Sequence, residues 1–346
     1  MNIFDLVTAQ EVATFWNNGL QDRPPFIGEE LFPADKQLGL RLSWIKGASG
    51  IPVVLKASAF DVNAVIRPRI GFSKLETEMP FFKESKMVDE SMRQELNMVL
   101  QTNNQAYIDV IMNRIFNDQT DLLEGARARR EQMRMMMLTT GSIAMTSNGQ
   151  DFDFDYGIPA THKSTVTTSW RDTSTSDPVE DLRAALDKIE ADTGVRPTRG
   201  MISQKEWGYL RNNDKIVKSV FVLSNGQATV NDNRLRSYIM DEIGVEFVIN
   251  EKRYKDDAGT TARYLDEDTV VLFPSGTLGK TWFGTTPEES DLMAGTSASV
   301  EIVDTGVAVT TMKHEDPVNV ETKVTMICLP SFEQADQVYI LDTKKE

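Results

Sequence analysis

The stretch TDLLEGARARREQMRMMMLTTG, Thr120 to Gly141, decides how the rest of the chain is read. Leu122, Leu123, Ala126, Met133 and Met137 recur at helical spacing, and Gly141 stands where a left-handed residue closes a helix, so a helix is expected from about Thr120 to Thr140. About twenty residues would span roughly 30 Å. Arg127, Arg130 and Arg134 fall at i, i+3 and i+7 and share a face. The plain reading of that face is a solvated or salt-bridged surface, and the second is contact with a scaffold or nucleic acid. The cluster Met133, Met135, Met136 and Met137 reads as adaptable packing.

Upstream, Met92, Leu96, Val99 and Leu100 make one helical stripe, and Tyr107, Ile108, Ile111, Met112, Ile115 and Phe116 make another. Before them Leu38, Leu40, Leu42 and Trp44 alternate with Gly39, Arg41 and Ser43, as in a half-buried strand. Gly47-Ala48-Ser49-Gly50 is a turn, and Val53, Leu55 and Ala57 continue on a second strand. The Pro and Gly content through Pro80 suits a long two-stranded excursion better than a core sheet. Thr8 and Glu11 form a capping box for a short helix ending at Gly19, and the segment through Pro33 is an arm whose Phe26 and Phe32 need a surface to cover.

Downstream, Asn148-Gly149 marks a hairpin turn. Residues 161–176, rich in Ser and Thr, read as a linker. Asp177-Pro178-Val179-Glu180 opens a helix that carries Leu182, Ala185, Leu186 and Ile189 to Gly194. Short helices and strands then alternate, with strands at 245–249, 269–273, 307–309, 324–329 and 338–341. The class is α+β, without a regular βαβ period or internal repeat.

The 346 residues suggest two domains, and the formal charge is −15. Residues 1–140 carry a net −2 and residues 141–346 a net −13, which disfavours sequence-independent DNA binding. One cysteine, Cys328, and two histidines, His162 and His314, cannot form an intrachain disulfide or a Cys/His zinc cluster. The first twenty residues hold Asp5 and Glu11 but no Lys or Arg, and no 18-residue apolar run occurs, so a soluble, non-secreted protein without a membrane is expected.

Three motifs could carry chemistry. Gly276-Thr277-Leu278-Gly279-Lys280-Thr281 is like the end of a phosphate loop, but Pro274 stands where a glycine is required and the following Trp282 to Pro287 is a poor helix start, so a turn between strands is the better reading. Asp151-Phe152-Asp153-Phe154-Asp155 has the alternation of a calcium loop, but Tyr156 replaces its glycine and His162 its last ligand; a strand with a wet acidic face fits better. His314-Glu315-Asp316 has no partners for a triad and reads as a solvated turn before Pro317. No catalytic, cofactor-binding or metal residue is assigned, and the chain is read as not an enzyme.

Four places carry a family resemblance: Ala64-Val65-Ile66-Arg67-Pro68-Arg69 with the extended stretch to Phe82, Ser176 to Asp181 opening a helix, Tyr264 to Leu272 leading into Gly279 to Gly284, and Thr325 through Leu329-Pro330 to Ile340. In their order and spacing the chain resembles the lambda-like capsid protein E family, major capsid proteins of tailed bacteriophages. The likeness runs over nearly the whole chain.

That resemblance implies a Hong Kong 97-type fold: an N-terminal arm at 1–36, an extended two-stranded loop at 37–82, a peripheral domain with a spine helix at 83–170, an axial domain at 171–320, and C-terminal strands at 321–346 returning to the peripheral domain. It implies a structural head protein that self-assembles into hexamers and pentamers of an icosahedral shell around double-stranded DNA, as part of the virion, assembled in the host cytoplasm. The implied partners are the chain itself, a scaffold protein and a portal; a decoration protein is left open, and packaged DNA meets it only by weak non-specific contact. Arg67, Arg69, Trp44, Leu55, Phe26 and Phe32 are the candidate intersubunit residues, and Arg127, Arg130 and Arg134 the candidate inner-face or scaffold residues. The alternatives are an encapsulin-like nanocompartment shell and, from a different class, an enzyme using the Gly276 to Thr281 loop.

Overall fold

The computed structural model describes residues 6–19, 23–46, 73–102, 105–221, 230–292, 298–315 and 318–345. The chain divides into two compact units, interleaved in sequence: 1–42, 76–133 and 280–331 form one, and 43–75, 134–279 and 332–346 the other. Residues 280–331 therefore run with the N-terminal segments, while 332–346 belong with the middle of the chain.

The first unit is organised by one long strand, Val318–Pro330. Its 321–327 portion pairs with Phe81–Met87 on one edge, and 328–330 pairs with Thr281–Phe283, which in turn receives Ala34–Lys36 in parallel. The other edge pairs with Val307–Glu315, followed by Ala298–Val303. Helix α1 (Ala9–Gly19) opens as its Thr8 cap demands, with Glu11 N–H donating to Thr8 Oγ1 at 3.3 Å, and it is tied to the sheet by Ala9 N–H donating to Thr311 Oγ1 at 3.1 Å. Trp16 is fully buried beneath it. Helix α2 (Ile27–Leu31) follows in the arm, then α3 (Glu90–Thr102).

The stripes at 107–116 and 120–140 prove to be one helix, α4 (Gln105–Thr140), of 36 residues. Such a helix is about 54 Å long. Asn117 and Asp118 between the stripes are weak helix formers but not breakers and Gln119 is a good one, so nothing interrupts the hydrogen-bond ladder. The helix ends at Gly141, φ +82°.

The strand expected from Leu38 begins only at Arg41. Gly39 takes φ +90°, which breaks the extended run, and Leu38 is left 90% exposed while Leu42 and Trp44 are buried as the alternation requires. Arg41–Lys46 pairs with Ser73–Glu78 as a two-stranded ribbon.

The second unit holds a mixed five-stranded sheet in the order Lys163–Thr165, Tyr339–Asp342, Thr269–Phe273, Arg199–Ile202, Glu246–Ile249. Among the described residues it carries the helices α5 (Pro178–Thr193), α6 (Gln204–Asn212), α7 (Asp214–Val220) and α8 (Asp232–Ile243). Trp170, Leu186, Trp207, Leu235 and Leu272 are central to the common core. Helix α5 is bounded as its sequence demands: Asp177 accepts from Glu180 N–H at 3.3 Å, Pro178 takes the first turn, and Gly194 closes it at φ +73°. The hairpin 142–155 turns on Asn148 and Gly149, both at positive φ, with Asp151, Asp153 and Asp155 exposed in alternation.

Residues 161–176 are not a linker. Lys163–Thr165 is a sheet strand, and fully buried Trp170 donates its indole N–H to Asp181 Oδ2 at 2.9 Å. The hydroxyls that suggested flexibility are spent locally: Ser174 and Thr175 donate to Asp172 at 2.7 and 2.5 Å and hold its carboxyl at about 2. His314 likewise lies within Val307–Glu315 rather than in a turn, its Nε2 2.6 Å from Glu321 Oε2. After the turn at Gly276 the chain enters strand Thr281–Phe283, not a helix, and Lys280 pairs with Asp35 at 2.6 Å, so the phosphate-loop reading has no helix N-terminus to rest on.

Two substitutions separate core packing from capping in the second unit. Leu186→Ala, in the centre of the core, should cost about 2–5 kcal/mol, and Asp177→Ala about 1 kcal/mol. Chemical denaturation of the unassembled chain, followed by tryptophan fluorescence, checks both.

Candidate assembly surfaces

The arginine face of α4 points into its own subunit. Arg127 Nε and Nη2 donate to the two oxygens of Glu29 at 2.8 and 3.1 Å, and Nη2 also donates to the Pro24 carbonyl at 3.2 Å. Its guanidinium lies 4.7 Å from the centroid of the Phe26 ring. Glu29 thus grips α4 while its Oε2 also accepts from Phe26 N–H at 3.2 Å at the start of α2. One turn further along, buried Glu131 accepts from Gly28 N–H at 3.1 Å. A carboxylate at a helix N-terminus is favoured by the orphan amides there. The result is a clasp: one acid from the arm meets a base on the helix, and one acid from the helix caps the arm.

Arg130 reaches Asp304 Oδ2 at 2.6 Å and lies over the Phe283 ring. Arg134, in the second unit, is also buried. Arg127, Arg130 and Arg134 are therefore not an exposed inner-face patch; Arg127 and Arg130 hold carboxylates of their own chain. Phe32 is fully buried, its carbonyl accepting from Thr281 Oγ1 at 2.9 Å, and half-buried Phe26 covers Arg127. Both arm aromatics find the surface they need inside the subunit. Trp44 is buried at the base of the ribbon, with ring centroids 5.6 Å from both Phe154 and Tyr156, and neighbouring Lys46 pairs with Asp336 at 3.1 Å. Leu55, Arg67 and Arg69 lie outside the described residues.

What the subunit leaves uncovered is apolar and helical. Along α4, Ile115 and Phe116 are buried, but no residue from Gln105 to Arg114 is. Tyr107 and Val110 are 63% and 65% exposed, and Met98 on α3 is 62% exposed. Leu96 is the only fully buried residue among the described side chains of α3. Leu38 and Leu40, beside the ribbon, are also exposed. The stripe was visible in the sequence; that its first half is only partly covered, with Ile108, Ile111 and Met112 half-buried, was not, because periodicity reports which side chains share a face and is silent on what meets them.

The family model of phage major capsid protein E matches residues 9–343. Among curated proteins no match is found. Among solved structures, one described as a prophage capsid protein of Escherichia coli CFT073 superposes with a TM-score of 0.61 at 16% identity, over 97% of this chain and 99% of that one. A phage-related protein of Bordetella bronchiseptica RB50 gives a TM-score of 0.56 at 14% identity, over 97% of each chain. The capsid subunit of cyanophage A-1(L) gives 0.51 at 9% identity, over 93% of each. At these identities the structural likeness establishes the fold.

The clasp makes its own test. Arg127→Met keeps the aliphatic stem over Phe26 but strips Glu29 of its partner, and should cost about 2 kcal/mol, the range for hydrogen bonds to charged groups. Limited proteolysis should cut the arm around residues 20–30 sooner than in the wild type, with the second unit protected as before.

Proposed function

The chain belongs to the phage major capsid protein E family, and from that membership we propose how its surfaces build a shell. It is a structural protein of a phage capsid and not an enzyme. The proposal adds that subunits join as hexamers and pentamers of an icosahedral shell enclosing double-stranded DNA, with a scaffold protein and a portal as partners and assembly in the host cytoplasm.

The observation that carries this reading is the apolar helical surface left open on an otherwise well-packed subunit: Met98, Tyr107 and Val110, with Leu38 and Leu40 beside the ribbon. An apolar helix face left in water marks a surface that another molecule covers. A two-stranded ribbon is likewise marginal alone and gains from lying on a neighbour. Head-to-tail repetition of one such contact closes into rings. In this reading residues 37–82 are the extended loop, Leu55, Arg67 and Arg69 make its contacts to the adjacent subunit, and Trp44 anchors it on its own side. Phe26 and Phe32 act through the arm they pin down, and Arg127, Arg130 and Arg134 shape the inner surface by holding the chain rather than by meeting a scaffold directly. The remaining assignments are 83–170 to the peripheral domain, 171–320 to the axial domain and 321–346 to the returning strands. The negative charge of 141–346 keeps packaged DNA from adhering to the wall.

Tyr107→Asp combined with Val110→Asp should leave a folded subunit, since both side chains are exposed, yet abolish particles in negative-stain electron microscopy. Arg67→Glu with Arg69→Glu should do the same. Wild-type particle yield from either double variant would overturn the corresponding contact.

A further inference from the structure

Two hairpins of the second unit carry opposite charge, and neither spends it inside the subunit. Asp151, Asp153 and Asp155 stand at every second residue of the strand Gln150–Asp155, all three exposed, while Phe152 and Phe154 between them are half-buried on the other face. At about 3.4 Å per residue, successive carboxylates lie about 7 Å apart along one face. Asp151 accepts from Thr146 Oγ1 at 2.6 Å and Asp155 from Gly157 N–H at 2.7 Å, but none of the three pairs with a Lys or Arg among the described residues.

The second hairpin is the counterpart. Strand Arg253–Lys255 pairs antiparallel with Thr261–Arg263, which sets Arg253 directly opposite Arg263. Like charges in that position weaken a hairpin. Arg263 is neutralised by Glu251 and by Glu267, the latter at 2.9 Å. Arg253 and Lys255 are exposed and have no carboxylate partner among the described residues. Half-buried Tyr254 between them packs on Tyr264, ring centroids 4.8 Å apart, so the two cations share the opposite face of the strand. They too are about 7 Å apart. The hairpins are tied at their tips, where Ser147 Oγ donates to Asp257 Oδ2, yet the aspartates of one do not reach the cations of the other in the same chain.

We propose that the face of Arg253 and Lys255 docks on the face of Asp151, Asp153 and Asp155 of an adjacent copy, each cation opposite one carboxylate. The inference rests on the shell reading and names one contact within it. The two sets have the same spacing and opposite sign, and every copy offers both, which is the arrangement that a head-to-tail ring requires. A nucleic acid is the poorer occupant, because two cations are few for a phosphate backbone and residues 141–346 carry a net −13. Exposed pairs are screened by salt, so the contact fixes partner and register more than it adds strength.

Charge reversal in the full-length chain tests it, with ring and particle formation followed by sedimentation and negative-stain electron microscopy. Arg253→Glu with Lys255→Glu, and separately Asp151→Lys with Asp153→Lys, should each lower assembly about tenfold. An equimolar mixture of the two double variants, and a chain carrying all four substitutions, should each recover to within about twofold of wild type. All six positions of the pairing are exposed or hydrogen-bonded only locally, and unfolding followed by tryptophan fluorescence checks that the variants fold; should a reversal fail to fold, Arg253→Gln with Lys255→Gln replaces it, and its assembly should no longer depend on salt. Assembly of either double variant at wild-type yield, or no recovery in both the mixture and the four-fold variant, would overturn the contact while leaving the shell reading in place. A wild-type chain that never self-associates would overturn both. Duplex DNA binding by the wild type at about 0.15 M salt that is lost in Arg253→Glu with Lys255→Glu, with assembly unchanged, would assign the basic hairpin to nucleic acid and overturn the proposal.

Discussion

The length of α4 is the constraint on which the first unit depends. A 36-residue amphipathic helix presents an apolar stripe along some 54 Å, and a helix within a protein draws most of its stability from what packs on that stripe. The chain buries the stripe from Ile115 onward and covers the first ten residues only in part. The subunit is thus stable where α4 is covered and incomplete where it is not. For a capsid protein this division is useful: the folded part gives each copy one shape, and the uncovered part gives copies a reason to associate.

Covering the middle of α4 required a solution to a second problem, since that face carries arginines. A buried guanidinium without partners would cost several kcal/mol, and a buried pair is tolerated only when its geometry is good. Arg127 has two oxygens of Glu29, a carbonyl and an aromatic ring; Arg130 has Asp304 and the Phe283 ring. The energetic gain over an apolar face is small, but the direction of the bonds matters. Charge-assisted hydrogen bonds fix the arm in one register on α4 where an apolar contact would allow sliding. The arm therefore reports on the helix, and disturbance of either is felt by the other.

The second unit follows a different logic. Its sheet is held between well-packed aromatic and aliphatic side chains, and its helices are capped at both ends where sequence provides the residues. Within that ordinary core Glu206 is the exception: a titratable group in a place where Gln or Leu would cost less.

Much of this was legible in residue order. Asp177-Pro178 and Gly194 bound α5, Asn148-Gly149 the hairpin, and Gly141 the end of α4, because caps and turns are local chemistry that depends on neighbours a few positions away. The family resemblance, spread over Ala64 to Ile340, likewise needed no coordinates. What local chemistry could not decide was pairing over distance. Leu38 and Leu42 have the same place in the alternation, yet one is in water and the other in the core, because Gly39 turns the chain between them. Arg127 and Arg130 looked like a surface until Glu29 and Asp304, 98 and 174 residues away, were brought against them. Residues 161–176 looked like a linker until Trp170 found Asp181. A sequence states which groups need partners; only the tertiary structure decides whether the partner is the same chain, water or another copy, since burial is a property of the assembled surfaces and not of the side chain alone.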